Sequence, residues 1–130
     1  MVKNGFCVLV VDDSMLVVER ILGNLRELDC IKSLISALDF EEARQLLSEN
    51  EVDITLLDIN MPGRSGIELL THIKQNHPRV KNIMLTNQSD DYYRALCARI
   101  GADYFLDKTS EFERVPELIE ICFKSNASGN

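Results

Sequence analysis

Five short apolar runs alternate along this chain with five longer stretches of helical spacing. The pattern predicts strands over Phe6–Val11, Ile31–Ala37, Val52–Leu57, Asn82–Leu85 and Tyr104–Leu106. The first run is apolar at every position, which suits a strand covered on both faces. Between the runs, Val18, Ile21, Leu22, Leu25 and Leu28 mark the inner face of a first helix, capped by Asp13 or Ser14. Asp39 with Glu42 predicts the cap of a second, ahead of Ala43, Leu46 and Leu47. Ser65 opens a third, which carries Ile67, Leu69, Leu70 and Ile73. A fourth runs from about Ser89 through Tyr93, Leu96 and Ile100 until Gly101 stops it. Ser110 and Glu113 have capping-box spacing for a fifth, with Val115, Leu118, Ile119 and Cys122 on its apolar face.

Strict β-α alternation predicts an α/β three-layer sandwich with right-handed crossovers. The expected form is the flavodoxin-like (βα)5 fold, a parallel five-stranded sheet of order 2-1-3-4-5. In that order strands one and three adjoin at the topological switch point, and ligands bind outside the carboxyl ends of the strands there. Polar residues fall at that end of run after run: Asp12 and Asp13 after the first, Asp58 after the third, Thr86 after the fourth and Lys108 after the fifth. Three carboxylates in one crevice repel one another unless a cation or a shared proton intervenes. The pattern therefore predicts a divalent-metal site with a lysine beside it.

Composition narrows the class. A chain of 130 residues, 45% hydrophobic, can bury one globular core, and its apolar runs are too short to span a bilayer. Met1-Val2-Lys3-Asn4-Gly5 leads straight into the first strand without the layout of a signal peptide. The four cysteines stand apart in apolar stretches, as reduced core thiols of a cytoplasmic protein do. A net charge of −7 argues against direct nucleic-acid binding, which needs basic surface. Residues 1–124 are expected to form the domain, and 125–130, small and polar, a tail.

These residues in this order resemble the receiver domain of bacterial two-component response regulators. That family has an acidic pair after strand one, an aspartate after strand three, Thr or Ser after strand four and Lys after strand five. Here those are Asp12-Asp13, Asp58, Thr86 and Lys108, and Met61-Pro62-Gly63 with Ser65-Gly66 matches the loop after the phosphoacceptor. The resemblance implies that Asp58 takes a phosphoryl group from a histidine kinase or phosphotransfer protein. It also implies that Asp13, Asp58 and the main-chain carbonyl of Asn60 ligate Mg²⁺, with Asp12 acting through a bound water. Lys108 and the Thr86 hydroxyl would bond phosphoryl oxygens. Phe105 would swing inward behind Thr86 and carry the change to the face formed by helix four, strand five and helix five, where an output domain, another protein or a second copy would dock. Such a protein catalyses its own phosphorylation and dephosphorylation only.

Two positions depart from the family pattern. Asn87 stands where a small residue is usual, and Thr109 follows Lys108 where proline is usual, often across a cis bond. Without proline that geometry costs roughly 3 kcal/mol. The competing function is a pseudo-receiver that binds protein without phosphorylation. An aspartate-nucleophile phosphatase would carry Asp-x-Asp after the first strand, and a flavin carrier would need a hydroxyl- and glycine-rich loop there; the chain has neither. The sequence leaves open whether the domain works alone or within a longer protein.

Overall fold

The computed structural model describes the backbone of residues 5–128 and the side chains of 5–125. Met1–Asn4, Gly129 and Asn130 lie outside the described residues. The elements run β1 (Phe6–Val11), α1 (Met15–Leu25), β2 (Ile31–Ala37), α2 (Phe40–Glu49), β3 (Ile54–Leu57), α3 (Gly66–Asn76), β4 (Lys81–Thr86), α4 (Asp91–Ile100), β5 (Tyr104–Asp107), a 3-10 turn (Phe112–Arg114) and α5 (Val115–Ser128). The strands form one parallel sheet of order β2-β1-β3-β4-β5, the predicted flavodoxin-like (βα)5 arrangement.

The unbroken apolar run of β1 is explained by two cores. Phe6, Val8 and Val10 point to one face, where they meet Val18, Ile21, Leu118 and Ile119 from α1 and α5. Cys7, Leu9 and Val11 point to the other, against Phe40, Leu47, Leu69 and Ile73 from α2 and α3. A buried strand has no wet side, so period-two alternation of polarity disappears while alternation of direction persists. All four cysteines are buried free thiols in these cores. Among the described residues no helix is long and apolar enough to cross a membrane.

Helix starts follow the caps where a side chain can reach. Ser14 caps α1, Asp39 caps α2, and Ser65 with Glu68 closes a full capping box on α3. The fourth helix begins slightly later than Ser89, with Asp90 as its cap. The Ser110–Glu113 box does not form. A 3-10 turn occupies that stretch and α5 starts only at Val115, because Pro116 has no N–H to close an α-helical bond back to Phe112. At its other end α5 continues to Ser128, into the stretch read as a tail. Val52 falls outside β3, where Asp53 bonds the backbone of Cys7 through both its carboxylate and its N–H. His72 is half-buried, its ring edge-on to Phe40.

One polar pair lies wholly inside. Asn82 and Thr55 face each other across β3 and β4, and the Thr55 hydroxyl donates to the Asn82 side-chain carbonyl at 2.6 Å. The Asn82 amide donates in turn to the carbonyl of Val80 at 3.1 Å. Asn82→Ala is expected to cost about 2–3 kcal/mol in urea unfolding, because it opens a void and orphans two buried groups. Thr55→Val combined with Asn82→Leu removes both partners together and is expected to cost less. Equal losses in the two variants would contradict this account.

Candidate functional site

Parallel pairing delivers three strand ends to one place. The backbone N–H of Asp12 bonds the carbonyl of Ala37, that of Asp58 bonds Val11, and that of Lys108 bonds Thr86. The loops after β1 and β3 therefore leave the sheet side by side at the switch point, and the loop after β5 leaves the same edge beyond β4. Gly66 N–H donates to Ile59 carbonyl at 2.9 Å and ties the start of α3 to the loop after Asp58.

Lys108 joins the acids. Its Nζ lies 2.6 Å from Asp12 Oδ2 and 3.1 Å from Asp58 Oδ2. Asp12 Oδ1 accepts from the Ser14 amide at 2.9 Å, and Asp58 Oδ1 from the Asn60 amide at 3.3 Å. Asp12 and Asp58 are buried and Asp13 is exposed, yet one carboxylate oxygen from each lies within 4.8 Å of the others. Burial raises the Asp12 carboxyl above its ordinary value, against the opposing pull of the Lys108 hydrogen bond. Burial also works against the Lys108 ammonium, but its bond to Asp12 and the charge of Asp58 outweigh it and the net shift is upward. The two directions are consistent, because one ammonium shared by two carboxylates gains more than either carboxylate does.

Three carboxylates against one ammonium leave negative charge uncompensated. The donors are hard oxygens, the kind that Mg²⁺ takes at about 2.0–2.1 Å. Among the described residues no histidine or cysteine joins the cluster. The donor set thus suits Mg²⁺ and disfavours a soft metal.

Asp12, Asp13, Asp58 and Lys108 come together as the sequence predicts, and Asn60 contributes its amide to Asp58. Thr86 and Phe105 stand outside this bonded cluster. Thr86 is fully buried and its hydroxyl accepts from the Gln88 amide at 3.1 Å. Phe105 is partly buried on β5, paired with Met84 of β4. The Lys108–Thr109 bond is trans, and the Thr109 hydroxyl donates to the Asn87 side chain at 3.0 Å, so the two unusual residues are partners. Asp107, the last residue of β5, organises the loop after that strand. It accepts from the Ser89 hydroxyl and from the amides of Thr109 and Ser110, which together lower its carboxyl to about 2. Only its position beside Lys108 hinted at this in the sequence.

The sheet order together with an acid cluster and a lysine at its carboxyl edge defines a flavodoxin-like α/β domain with a candidate divalent-cation site. The family model of the response regulator receiver domain matches residues 8–120, and the chain belongs to that family. It is 36% identical over 107 residues to the transcriptional regulatory protein MalR of Bacillus subtilis, covering 82% of this chain and 46% of that one. It is 34% identical to the response regulator UvrY of Escherichia coli, over 89% of this chain and 53% of that one. Among solved structures, the response regulator TrrA of Thermotoga maritima in complex with Mg²⁺ and beryllofluoride superposes with a TM-score of 0.78 at 30% identity, covering 90% of this chain and 98% of that one. The chain spans about half the length of the curated relatives it matches. Proteins of this family are signalling proteins that act with histidine kinases and output domains.

Proposed function

We propose that Asp58 accepts a phosphoryl group from a phosphohistidine donor and that the resulting charge switches the domain. The observation that carries this reading is the Lys108 ammonium held between Asp12 and Asp58 at the carboxyl edge of the sheet. A carboxylate oxygen of Asp58 forms the new P–O bond. The bond from phosphorus to the donor imidazole breaks, and the ring leaves with the bonding pair and takes up a proton. The attack brings anionic oxygens together, so the site must supply positive charge that is already in position. Asp13, Asp58 and the Asn60 carbonyl would hold Mg²⁺, with Asp12 acting through a bound water, and the ion would supply part of that charge. Lys108 supplies the rest by turning from the carboxylates to a phosphoryl oxygen.

The Thr86 hydroxyl then donates to another phosphoryl oxygen, and Phe105 moves into the space behind it. The movement alters the face of α4, β5 and α5, where an output domain, a partner protein or a second copy docks. Phosphorylation biases a pre-existing two-state equilibrium in this scheme. The reading places the protein in the cytoplasm with its kinase. It binds neither DNA nor membrane directly, and turns over no substrate beyond its own aspartyl phosphate.

Intact mass after incubation with acetyl phosphate and Mg²⁺ tests this. One phosphoryl adduct is expected on the wild type, with none in EDTA and none on Asp58→Asn. A folded wild-type protein that forms no adduct and binds no beryllofluoride would instead be a phosphorylation-independent binding module.

A further inference from the structure

Helix α4 is lightly seated. Cys97 is its one fully buried side chain, whereas α3 buries Leu69, Leu70 and Ile73. Its position against β5 therefore depends on polar ties, and those converge on Arg94. Arg94 Nε donates to the Ser89 carbonyl at 3.1 Å, and Nη1 to the Phe105 carbonyl at 3.3 Å. Nη2 donates to the Glu111 carboxylate at 3.2 Å. The guanidinium carbon also lies 4.8 Å from the centroid of the Phe105 ring, within cation–π range. Glu111 is itself fixed, because it accepts from the Asp107 amide at 2.9 Å and from Arg114 at 3.2 Å. One side chain thus holds the loop before α4, the backbone and ring of Phe105, and the turn after β5.

We infer that Arg94 is a positioning residue for the switch: with Glu111 it latches α4 to β5 and holds the Phe105 ring in its resting place. This rests on the receiver reading and adds to it the contact that activation must break. The ring cannot move inward and keep its place beneath the guanidinium. A contact made in one state only shifts the equilibrium by its full strength, whereas one kept in both shifts nothing. The latch favours the resting state, so the phosphoryl group works against it.

Beryllofluoride with Mg²⁺, titrated onto the full chain, reads that balance. Glu111→Gln keeps an acceptor for the Asp107 amide and removes the charge that orients Arg94. Arg94→Ala removes the whole hub, and Arg94→Lys keeps charge without the fork. Glu111→Gln and Arg94→Ala are expected to bind roughly two- to tenfold tighter than wild type, the scale of one part-exposed ion pair and one cation–π contact. Arg94→Lys should fall between. In the ligand-free Glu111→Gln protein, the amide resonances of Gln88 and Thr109 should lie displaced toward their positions in saturated wild type. A structural role alone would lower Tm without that directed displacement. Unchanged or weaker binding in both variants, beside a wild type that binds, overturns the latch and leaves the receiver reading intact. A wild type that binds no beryllofluoride overturns both.

Discussion

Replacing Gly66 with alanine will destabilise the protein by about 3 kcal/mol or more and slow phosphoryl acceptance on the order of 100-fold. The cause is contact rather than backbone angle. A Cβ at Gly66 would stand 1.8 Å from the carbonyl oxygen of Asp58, 2.7 Å from its carbonyl carbon and 3.0 Å from Ile59 Cα. All three are backbone atoms, so no rotamer change relieves the overlap. Helix α3 cannot retreat without pulling Leu69, Leu70 and Ile73 from the core. The loop after β3 must give instead, and it carries the Asp58 carboxylate away from Lys108 and from the carboxylates of Asp12 and Asp13. Gly23→Ala is the matching control. Gly23 lies in α1 with nothing within 4 Å of its Cβ position, and alanine there should stabilise by roughly 0.5–1 kcal/mol. Urea unfolding of the two variants decides the matter. A wild-type midpoint for Gly66→Ala would show that the loop yields freely and would remove the explanation.

Gly66 also marks the limit of what could be read from the chain. Ser65-Gly66 was recognisable as part of a phosphoacceptor loop, but the reason for the glycine is a close approach between elements that no local pattern displays. The same division runs through the molecule. Apolar continuity in Phe6–Val11 identified a doubly covered strand, because complete burial leaves a complete run. Capping at Asp39 and Ser65 was legible because donor and acceptor lie within one turn. Ser110 and Glu113 had the same spacing and formed no cap, since Pro116 prevents the α-helix from starting there. The charged residues at the strand ends were legible as a set, since a parallel sheet brings every such end to one edge. Their bonding was not: Lys108 meets Asp12 across 96 positions of sequence. Arg94 was invisible for a different reason. An arginine within a helix usually reads as a solvated face, and its partners Phe105 and Glu111 are joined to it only by the packing of α4 on β5.

Lys108→Ala will lose stability in metal-free buffer and regain more of it with Mg²⁺ than the wild type gains. Asp12 and Asp58 are nearly sealed from water, with side-chain exposures of 3% and 7%, and Lys108 at 14% is the cation that makes their burial tolerable. Removing one partner from a buried ionic cluster strands the others. The cost at neutral pH is expected to be about 2–4 kcal/mol, below the upper range for such deletions because the acids can recruit protons or a cation. The proton route fixes a sign. Without the ammonium the Asp12 carboxyl, already raised by burial from an ordinary 3.8, rises further. An acid whose value is raised in the folded state favours folding below its unfolded value and opposes it as pH climbs through the folded one. The variant's deficit should therefore be largest at neutral pH and shrink toward pH 4. The cation route follows mass action: Mg²⁺ at 100 times its dissociation constant stabilises by about 2.7 kcal/mol. Affinity should be higher where no ammonium competes for the carboxylates. Urea unfolding in EDTA and in Mg²⁺, at pH 7 and near pH 4, reads both effects. A deficit that ignores both pH and Mg²⁺ would mean that Lys108 acts by packing its stem. A deficit that answers to both identifies it as the resident cation of a site built to exchange one positive charge for another.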